Sequence, residues 1–186
     1  MQITTRPYPL KFIQTHPVKD ETYHLKSFVF KFHSSKNKLH YIVRAEYHRH
    51  DFFAIKFYAK KDRRSDNKYS KVVNKGDVAG VLVTSASVIP YLLKEYPNAS
   101  FGFMGSRTID SKSLKVESYI NNQRYRLYKY HLPQLIGDET FKHIAFENSS
   151  AYALLNKKNA DLVSYEVMVK SMLISVYNDI VTASFV

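Results

Sequence analysis

Residues 48–51, HRHD, bring two histidines and an aspartate together within four positions. Because imidazole titrates near neutral pH, His48, His50 and Asp51 are candidates for metal binding or for general acid and base catalysis. The chain contains no cysteine, and no other histidine stands at a recognisable ligand spacing. A solvated hairpin turn is the simpler interpretation, since strand-like segments flank the tetrapeptide. We therefore expect neither a metal nor a cofactor.

A basic segment with interleaved tyrosines follows this tetrapeptide. Lysine and arginine neutralise phosphates, and tyrosine rings offer faces on which unpaired bases stack. The segment therefore predicts contacts with nucleic acid, with an ordinary solvated loop as the alternative. The residues expected to make these contacts are Lys56, Tyr58, Lys60, Lys61, Arg63 and Arg64.

A second group of arginines lies in the middle of the chain. Arg107 follows a short apolar segment, and Arg124 and Arg126 stand where a helix is expected to begin. The unpaired N–H groups of a helix start favour anions, so these arginines are also predicted to contact phosphate. Salt bridges are the alternative interpretation. The nearest carboxylates in the sequence are Asp110, Glu117 and Asp138.

The charge distribution indicates a polyanionic partner. The 186 residues carry a net charge of +12, and the first seventy contain 15 Lys and Arg against 6 Asp and Glu. Such asymmetry is typical of nucleic-acid-binding proteins, and a basic surface that only aids solubility is the alternative interpretation. The N-terminal residues lack the apolar core of a signal peptide, and Gly80 and Pro90 interrupt the longest uncharged run. We expect a cytoplasmic protein without a membrane span.

Sequence motifs of the common enzyme classes are missing. There is no G-x-S-x-G elbow, no Walker-type loop and no G-x-G-x-x-G, and the chain has only 5 glycines. Some RNA-cleaving toxins act with only His, Arg, Lys and Tyr. Whether the chain is an enzyme therefore stays open at this point.

Hydrophobic periodicity predicts an α+β fold, an antiparallel β-meander packed by helices in the order β-β-β-(β)-α-β-α-β-α. One domain, 1–186, is expected, with the meander at about 23–73 and a helix-rich remainder at about 77–180. A further edge strand is considered around 71–73. The predicted strands are 23–33, 39–47, 52–59, 100–104, 141–146 and 150–156, and the helices are about 77–96, 122–136 and 161–180.

Several local features are predicted within these helices. Asp77 is expected to cap the first helix, Pro90 to kink or break it, and Asn121 or Asn122 to cap the second. The core positions expected in the last helix are Val163, Val167, Met168, Leu173, Ile174 and Tyr177.

The runs EYPNASFGFMGSRT, NNQRYRLYKYHL and FKHIAFENSSAYALLNKK resemble a group of small uncharacterised proteins from Bacteroidota. The shared pattern is a helix ending in Tyr-Pro-Asn, a Gly-Ser-Arg turn, an Asn-x-Gln-Arg helix start and a Tyr-Leu-Leu-rich strand. This resemblance covers about residues 77–158 and implies no activity. The predicted meander followed by a helix is also similar in architecture to the Whirly and PUR-alpha type of single-strand binders, which implies single-stranded nucleic acid as a partner.

The leading hypothesis is therefore a basic binding module for single-stranded nucleic acid or RNA. One alternative is a nuclease-like toxin or phage-defence effector that uses His48 or His50 with Arg107 and Arg124. Another is an interaction module for an acidic protein partner, such as an antitoxin. A homodimer is compatible with each of them.

Overall fold

Large apolar side chains alternate along residues 23–59, and this part of the chain forms neighbouring antiparallel strands. The computed structural model describes residues 5–18, 23–71, 76–109, 113 and 115–177. The strands are β1 Lys11–Pro17, β2 His24–Ser34, β3 Leu39–His48, β4 Phe52–Ala59, β5 Ser100–Met104, β6 Phe141–Phe146 and β7 Ala151–Asn156. The helices are α1 Val78–Ala86, α2 Val88–Leu92, α3 Gln123–Leu135 and α4 Leu162–Val176.

All of these strands belong to one sheet in the order β1-β2-β3-β4-β5-β7-β6. Neighbouring strands are antiparallel, except that β4 and β5 run parallel. A parallel pair needs a long crossover, and here the crossover carries α1 and α2. Consequently the carboxyl ends of β4 and β5 lie at the same end of the sheet.

Apolar side chains cover both faces of the sheet, because successive residues of a strand point to opposite sides. On the front face, Phe53, Ile55 and Phe101 belong to the core that α1, α2 and α3 cover. On the back face, Phe52 and Ala54 pack beneath α4. The predicted α+β fold class is confirmed, and β4, β5 and β6 have the predicted bounds. Residues 72–73 of the suggested edge strand lie outside the described residues, as does the predicted end of the last helix.

The N-terminal strand β1 was not predicted. It pairs with β2 at the edge of the sheet, and nearly all of its residues are exposed. A strand with no buried face has no hydrophobic alternation that a sequence pattern could reveal. Its register also shifts between Phe12 and Gln14, which interrupts any remaining period.

The predicted break near Pro90 is confirmed. Helix α1 ends at Ala86 and α2 begins at Val88, with Ser87 between them. Proline has no N–H, so Pro90 cannot donate to the carbonyl of Ala86 four residues earlier. The missing hydrogen bond explains why a segment with one continuous helical pattern of apolar residues forms two short helices.

The predicted core face of α4 is partly wrong. Val163 and Val167 are 72% and 62% exposed, whereas Tyr165 and Val169 are buried. Apolar residues occupy most of the circumference of this helix, so the spacing of apolar residues in the sequence does not identify one buried side. Leu173 is buried as predicted, and the side chain of Ile174 lies outside the described part of the chain.

Gly102 of β5 lies directly against the buried ring of Phe52. A Cβ at this position would lie 2.6 Å from Cζ of Phe52. Phe52 is 0% exposed beneath α4, so its ring has no space into which to move. We expect Gly102→Ala to lower the free energy of unfolding by about 1–3 kcal/mol in urea titrations.

Gly137→Ala is the matched control for this substitution. No atom lies within 4 Å of a Cβ added at Gly137. Its effect should stay within about 0.5 kcal/mol. Equal unfolding free energies for the two variants would contradict the close packing at Gly102.

No helix in the described ranges is sufficiently long and apolar to cross a membrane.

Candidate functional site

Strand β4 continues beyond its pairing with β5. The pairing ends at Ile55 and Phe103, whereas β4 continues to Ala59 and remains paired with β3 over its full length. After Met104 the chain turns away, and the N–H of Gly105 donates to the carbonyl of Ser150 at 2.8 Å. A gap therefore opens inside the sheet beside residues 56–59. Pairing with β5 closes this gap at Ile55, and over the described residues no strand pairs with this side of β4 from Lys56 to Ala59. We call the end at Ala59 the open end.

Two pockets that share Phe57, Arg124 and Tyr128 lie beside this gap, and together we call them the crevice. The outer pocket, at the open end, has a volume of about 70 Å³ and the inner pocket about 80 Å³. Residues of the outer pocket include Phe57, Tyr58, Ala59, Lys71, Asp77 and Arg124. Residues of the inner pocket are Lys56, Phe57, Tyr69, Met104, Ser106, Arg124 and Tyr128. Crevices beyond the carboxyl ends of parallel strands are common ligand sites, because loops and helix starts meet there.

Arg124 is the charged residue shared by both pockets. It is only 8% exposed, and its Nη2 donates to the carbonyl of Lys71 at 3.0 Å. Its guanidinium carbon lies 5.4 Å from the centre of the Phe57 ring. Asn122 caps α3 as predicted by accepting a bond from the N–H of Tyr125, which fixes the start of the helix beside the crevice.

Within the described ranges, Arg124 has no carboxylate within ion-pair distance. A buried guanidinium without a counter-charge is unfavourable, since charges are rarely buried unpaired. The two predicted basic groups thus meet in the crevice, through Lys56 of the first and Arg124 of the second.

Tyr128 presents a buried hydroxyl to the crevice. Burial raises its pKa above the ordinary value, and the neighbouring guanidinium of Arg124 opposes this shift. The phenol therefore keeps its proton at neutral pH. A protonated phenol next to a cation can donate a proton to a developing anion.

Asp77 has a different role from the predicted helix cap. It occupies the position before α1, but its side chain makes no capping hydrogen bond. Its Oδ2 accepts bonds from the hydroxyls of Tyr8, at 2.9 Å, and Ser34. These partners are distant in the chain, so no local pattern could reveal them.

Lys56 is held on the back face of the sheet. Its Nζ lies 2.8 Å from Oε2 of Glu46 and 4.3 Å from the centre of the Tyr177 ring. Tyr58 and Tyr69 meet edge to face at 5.3 Å, and Nζ of Lys68 lies 5.4 Å from each ring. Tyr58, which was predicted to contact bases, therefore already contacts Tyr69 and a lysine.

The remaining basic residues of the first group are exposed. Lys60 and Lys61 belong to a 3-10 helix, Lys60–Asp62, that follows β4 directly, and Arg63 and Arg64 form the next turn. This helix begins immediately after Ala59, and none of these four cations lines either pocket of the crevice.

Arg107 and Arg126 point to local partners. The guanidinium carbon of Arg107 lies 3.5 Å from the centre of the Tyr119 ring. Arg126 lies 3.8 Å from the carboxylate of Glu117, so the salt-bridge alternative holds for this residue. Asp110, another carboxylate considered for these arginines, lies outside the described residues.

The HRHD tetrapeptide divides into two environments. His50 and Asp51 form the turn with φ values of 66° and 51°, and His50 is exposed. His48 instead ends β3 and is 0% exposed, so the expected solvated turn is wrong for this residue. Its Nε2 lies 3.0 Å from the hydroxyl of Tyr177.

His48 belongs to a buried polar chain with Glu46 and His24, which were not singled out from the sequence, and with Tyr177, which was expected only as a core position. The Tyr177 hydroxyl donates to Oε2 of Glu46 at 2.6 Å, and the His24 ring centre lies 5.0 Å from that of His48. Alternation along β3 offered one signal, because Arg44, Glu46 and His48 share one face of a strand. His24, in β2, and Tyr177, the residue after α4, are distant from His48 in the chain, so no local pattern indicated them.

His48 is far from the crevice arginine. His48 pairs with Phe52 in the sheet, whereas Arg124 contacts Phe57. Five residues of strand separate these positions by about 16 Å. The histidine and arginine considered for a nuclease-like site therefore do not lie together.

The buried position of His48 makes stability depend on pH. Burial, and then repulsion from His24, lowers the pKa of His48 from 6.5 to about 4, although Glu46 opposes this and Lys56 adds to it. The unfolded chain therefore binds the proton first as the pH falls. Stability should decrease by up to about 3 kcal/mol between pH 6.5 and 4.

Urea titrations across this pH range provide the measurement, with His48→Gln as the comparison. This variant keeps an N–H donor for Tyr177 but has no titrating ring. Its stability should fall less steeply over the same range, with His24 and Glu46 producing the remaining slope. An unchanged slope would show that His48 is protonated in the folded state.

Metal binding receives no support from these positions. Among the described residues, no three His, Asp or Glu side chains form a group that could hold a metal ion.

Comparison of the chain with protein-family models, with curated proteins and with solved structures found no match.

Proposed function

We propose that the chain is a group-transfer enzyme. Its donor substrate would be an acyl thioester of an extended, amide-containing, phosphorylated carrier, which is the chemistry of a phosphopantetheine arm. The observation that carries this proposal is the edge of β4 at residues 56–59, which lies within the sheet without β5 beside it.

An open strand edge favours an amide-containing ligand. Alternate residues of a strand direct N–H and C=O groups to each side, and such groups need partners when water is excluded. Four residues provide about 13 Å of edge. A linear chain with amides can bind there as an additional strand.

The closed end of the gap limits the shape of the ligand. Pairing of Ile55 with Phe103 blocks passage, so a chain enters at Ala59 and must end in the inner pocket. A narrow arm with its reactive group at the tip fits this geometry better than a long peptide. A peptide ending in a free carboxylate is the competing ligand that the experiment must distinguish.

The charges support phosphate at the outer end. Lys60, Lys61, Arg63 and Arg64 are exposed in the residues that directly follow β4, and their side chains do not line either pocket. Cations in such a position attract phosphate and increase the rate of association.

Tyr128 would act as the proton donor at the inner end. An acceptor amine attacks the thioester carbonyl, the new C–N bond forms and the C–S bond breaks. The departing thiolate takes the proton of the Tyr128 hydroxyl, and the proton lost by the amine restores the phenol. Burial keeps that phenol protonated before the reaction.

Calorimetric titration with coenzyme A tests this proposal, since this molecule has the carrier arm and the phosphates. We expect a dissociation constant in the micromolar range, typical of such substrates. Ser106→Phe should abolish binding by filling the inner pocket, whereas Ser118→Phe in the exposed loop should not. Tight binding of a tetrapeptide together with no heat from coenzyme A would contradict the proposal.

Nucleic-acid binding is the second candidate function. Its specific support is the run of exposed cations at Lys60, Lys61, Arg63 and Arg64, for which the described residues form no ion pair. A single strand of RNA would contact this surface through phosphates, with an affinity that falls steeply with salt.

Fluorescence anisotropy with single-stranded RNA at two salt concentrations tests this candidate. Replacing the four cations by glutamate should remove binding, while Lys157→Glu with Lys158→Glu, also exposed, should have little effect. Absence of binding at low salt would exclude it.

A further inference from the structure

Two cations reach the inner pocket from opposite faces of the sheet. Arg124 contacts Phe57, whose side chain belongs to the front face, and Lys56 is the neighbouring residue that points to the back. Both line the inner pocket, together with Ser106, Tyr69 and Tyr128. Two cations and several hydroxyl groups therefore surround one small space.

Arg124 is the buried one of these two cations. It is more than nine-tenths buried, and over the described ranges the structure has no carboxylate within ion-pair distance of it. The carboxylate of Asp77 lines only the outer pocket and is already bonded to Tyr8 and Ser34. The protein partners of Arg124 include the Lys71 carbonyl and the Phe57 ring, neither of which carries a negative charge. An anionic ligand would supply the missing counter-charge.

Lys56 is fixed in position by a buried chain of polar groups. Glu46 accepts from Lys56 at 2.8 Å and from Tyr177 at 2.6 Å, and His48 lies 3.0 Å from the Tyr177 hydroxyl. The side chain of Lys56 remains 20% exposed. An ammonium held in this way loses little freedom when it binds a second anion.

The size of the inner pocket suits a small acidic group. Its volume is about 80 Å³. A single water needs roughly 10–15 Å³ of such space, so the pocket has room for a carboxylate with a short methylene stem.

We propose that the inner pocket recognises a carboxylate at the end of the transferred group. The donor would then be the half-thioester of a dicarboxylic acid, with its free acid bound between Lys56 and Arg124. This inference rests on the proposed function, because it names the class of acyl group that the carrier delivers.

A matched pair of stable carriers tests the inference. S-(3-carboxypropyl)-coenzyme A and S-butyl-coenzyme A have the same chain length and differ only in the terminal carboxylate. Calorimetry should show at least about tenfold tighter binding of the carboxylate form, since charge-assisted pairs with buried cations are strong. Equal affinities would overturn the inference and leave the proposed carrier intact.

Two variants show whether the named cations cause the preference. Arg124→Gln removes the guanidinium, and the double variant Lys56→Met with Glu46→Gln removes the lysine without leaving a buried carboxylate unpaired. Each variant should reduce the preference for the carboxylate carrier over the butyl carrier to about threefold or less. The exposed Arg126→Gln should retain the wild-type preference. An unchanged preference in both variants would overturn the assignment of Lys56 and Arg124.

Free glutarate separates the two proposals. Glutarate should raise the melting temperature of the wild-type chain and not that of Arg124→Gln. If glutarate stabilises in this way while neither carrier binds, the acid site stands and the carrier is wrong. If neither glutarate nor the carriers bind, both proposals fail.

Discussion

Replacing Tyr128 by phenylalanine should lower the turnover of an acyl thioester by about two orders of magnitude while leaving its binding nearly unchanged. The variant keeps the buried ring and removes only the hydroxyl that would protonate the leaving thiolate. Released thiol can be followed with a thiol-reactive dye. Because the chain has no cysteine, the protein itself gives no signal in this assay.

Tyr130→Phe is the control on the same helix. Its ring is 59% exposed and it does not line the crevice. This variant should match the wild type in turnover and in melting temperature. If Tyr128→Phe also retained full turnover, Tyr128 would not be the proton donor.

Replacing Lys56 by methionine should destabilise the fold by about 3–5 kcal/mol, because it leaves the buried carboxylate of Glu46 unpaired. Glu46 is 8% exposed, and its Oε2 lies 2.8 Å from Nζ of Lys56. Burial by itself would raise the pKa of Glu46, but Lys56, with further help from Tyr177 and His24, holds it below the ordinary value.

The double variant Lys56→Met with Glu46→Gln should recover most of this loss, since neither buried position then carries a charge. Urea titrations of the two single variants and the double variant complete the cycle. A large coupling energy is expected. Additive effects would mean that the pair does not act as a unit, and that solvent screens Glu46 in the folded protein.

Local patterns predicted the elements whose buried side is clear. Alternating phenylalanines defined β2, where Phe30 and Phe32 are buried on either side of the exposed Lys31, and Asn122 caps α3 at its predicted start. The same logic failed for β1, which has no buried face, and for Val163 and Val167, which lie on a helix that is apolar on most sides. Periodicity carries information only where burial differs between the two sides of an element.

The candidate site was less accessible to sequence reasoning. Lys56 and Arg124 were both named from the sequence, but as surface contacts for nucleic acid rather than as groups that line a crevice. Their meeting depends on where the pairing of β4 with β5 stops, which is a tertiary property. Tyr177 lies 131 positions from Glu46 in the chain, so no local pattern could join them.

Hydrogen exchange along β4 tests the central claim most directly. Without ligand, the amides of residues 56–59 that face the gap should exchange quickly, while those bonded to β3 exchange slowly. Saturating coenzyme A should slow the fast group, because the carrier arm would occupy the open edge. Binding of coenzyme A with unchanged exchange at residues 56–59 would contradict insertion of the carrier beside β4.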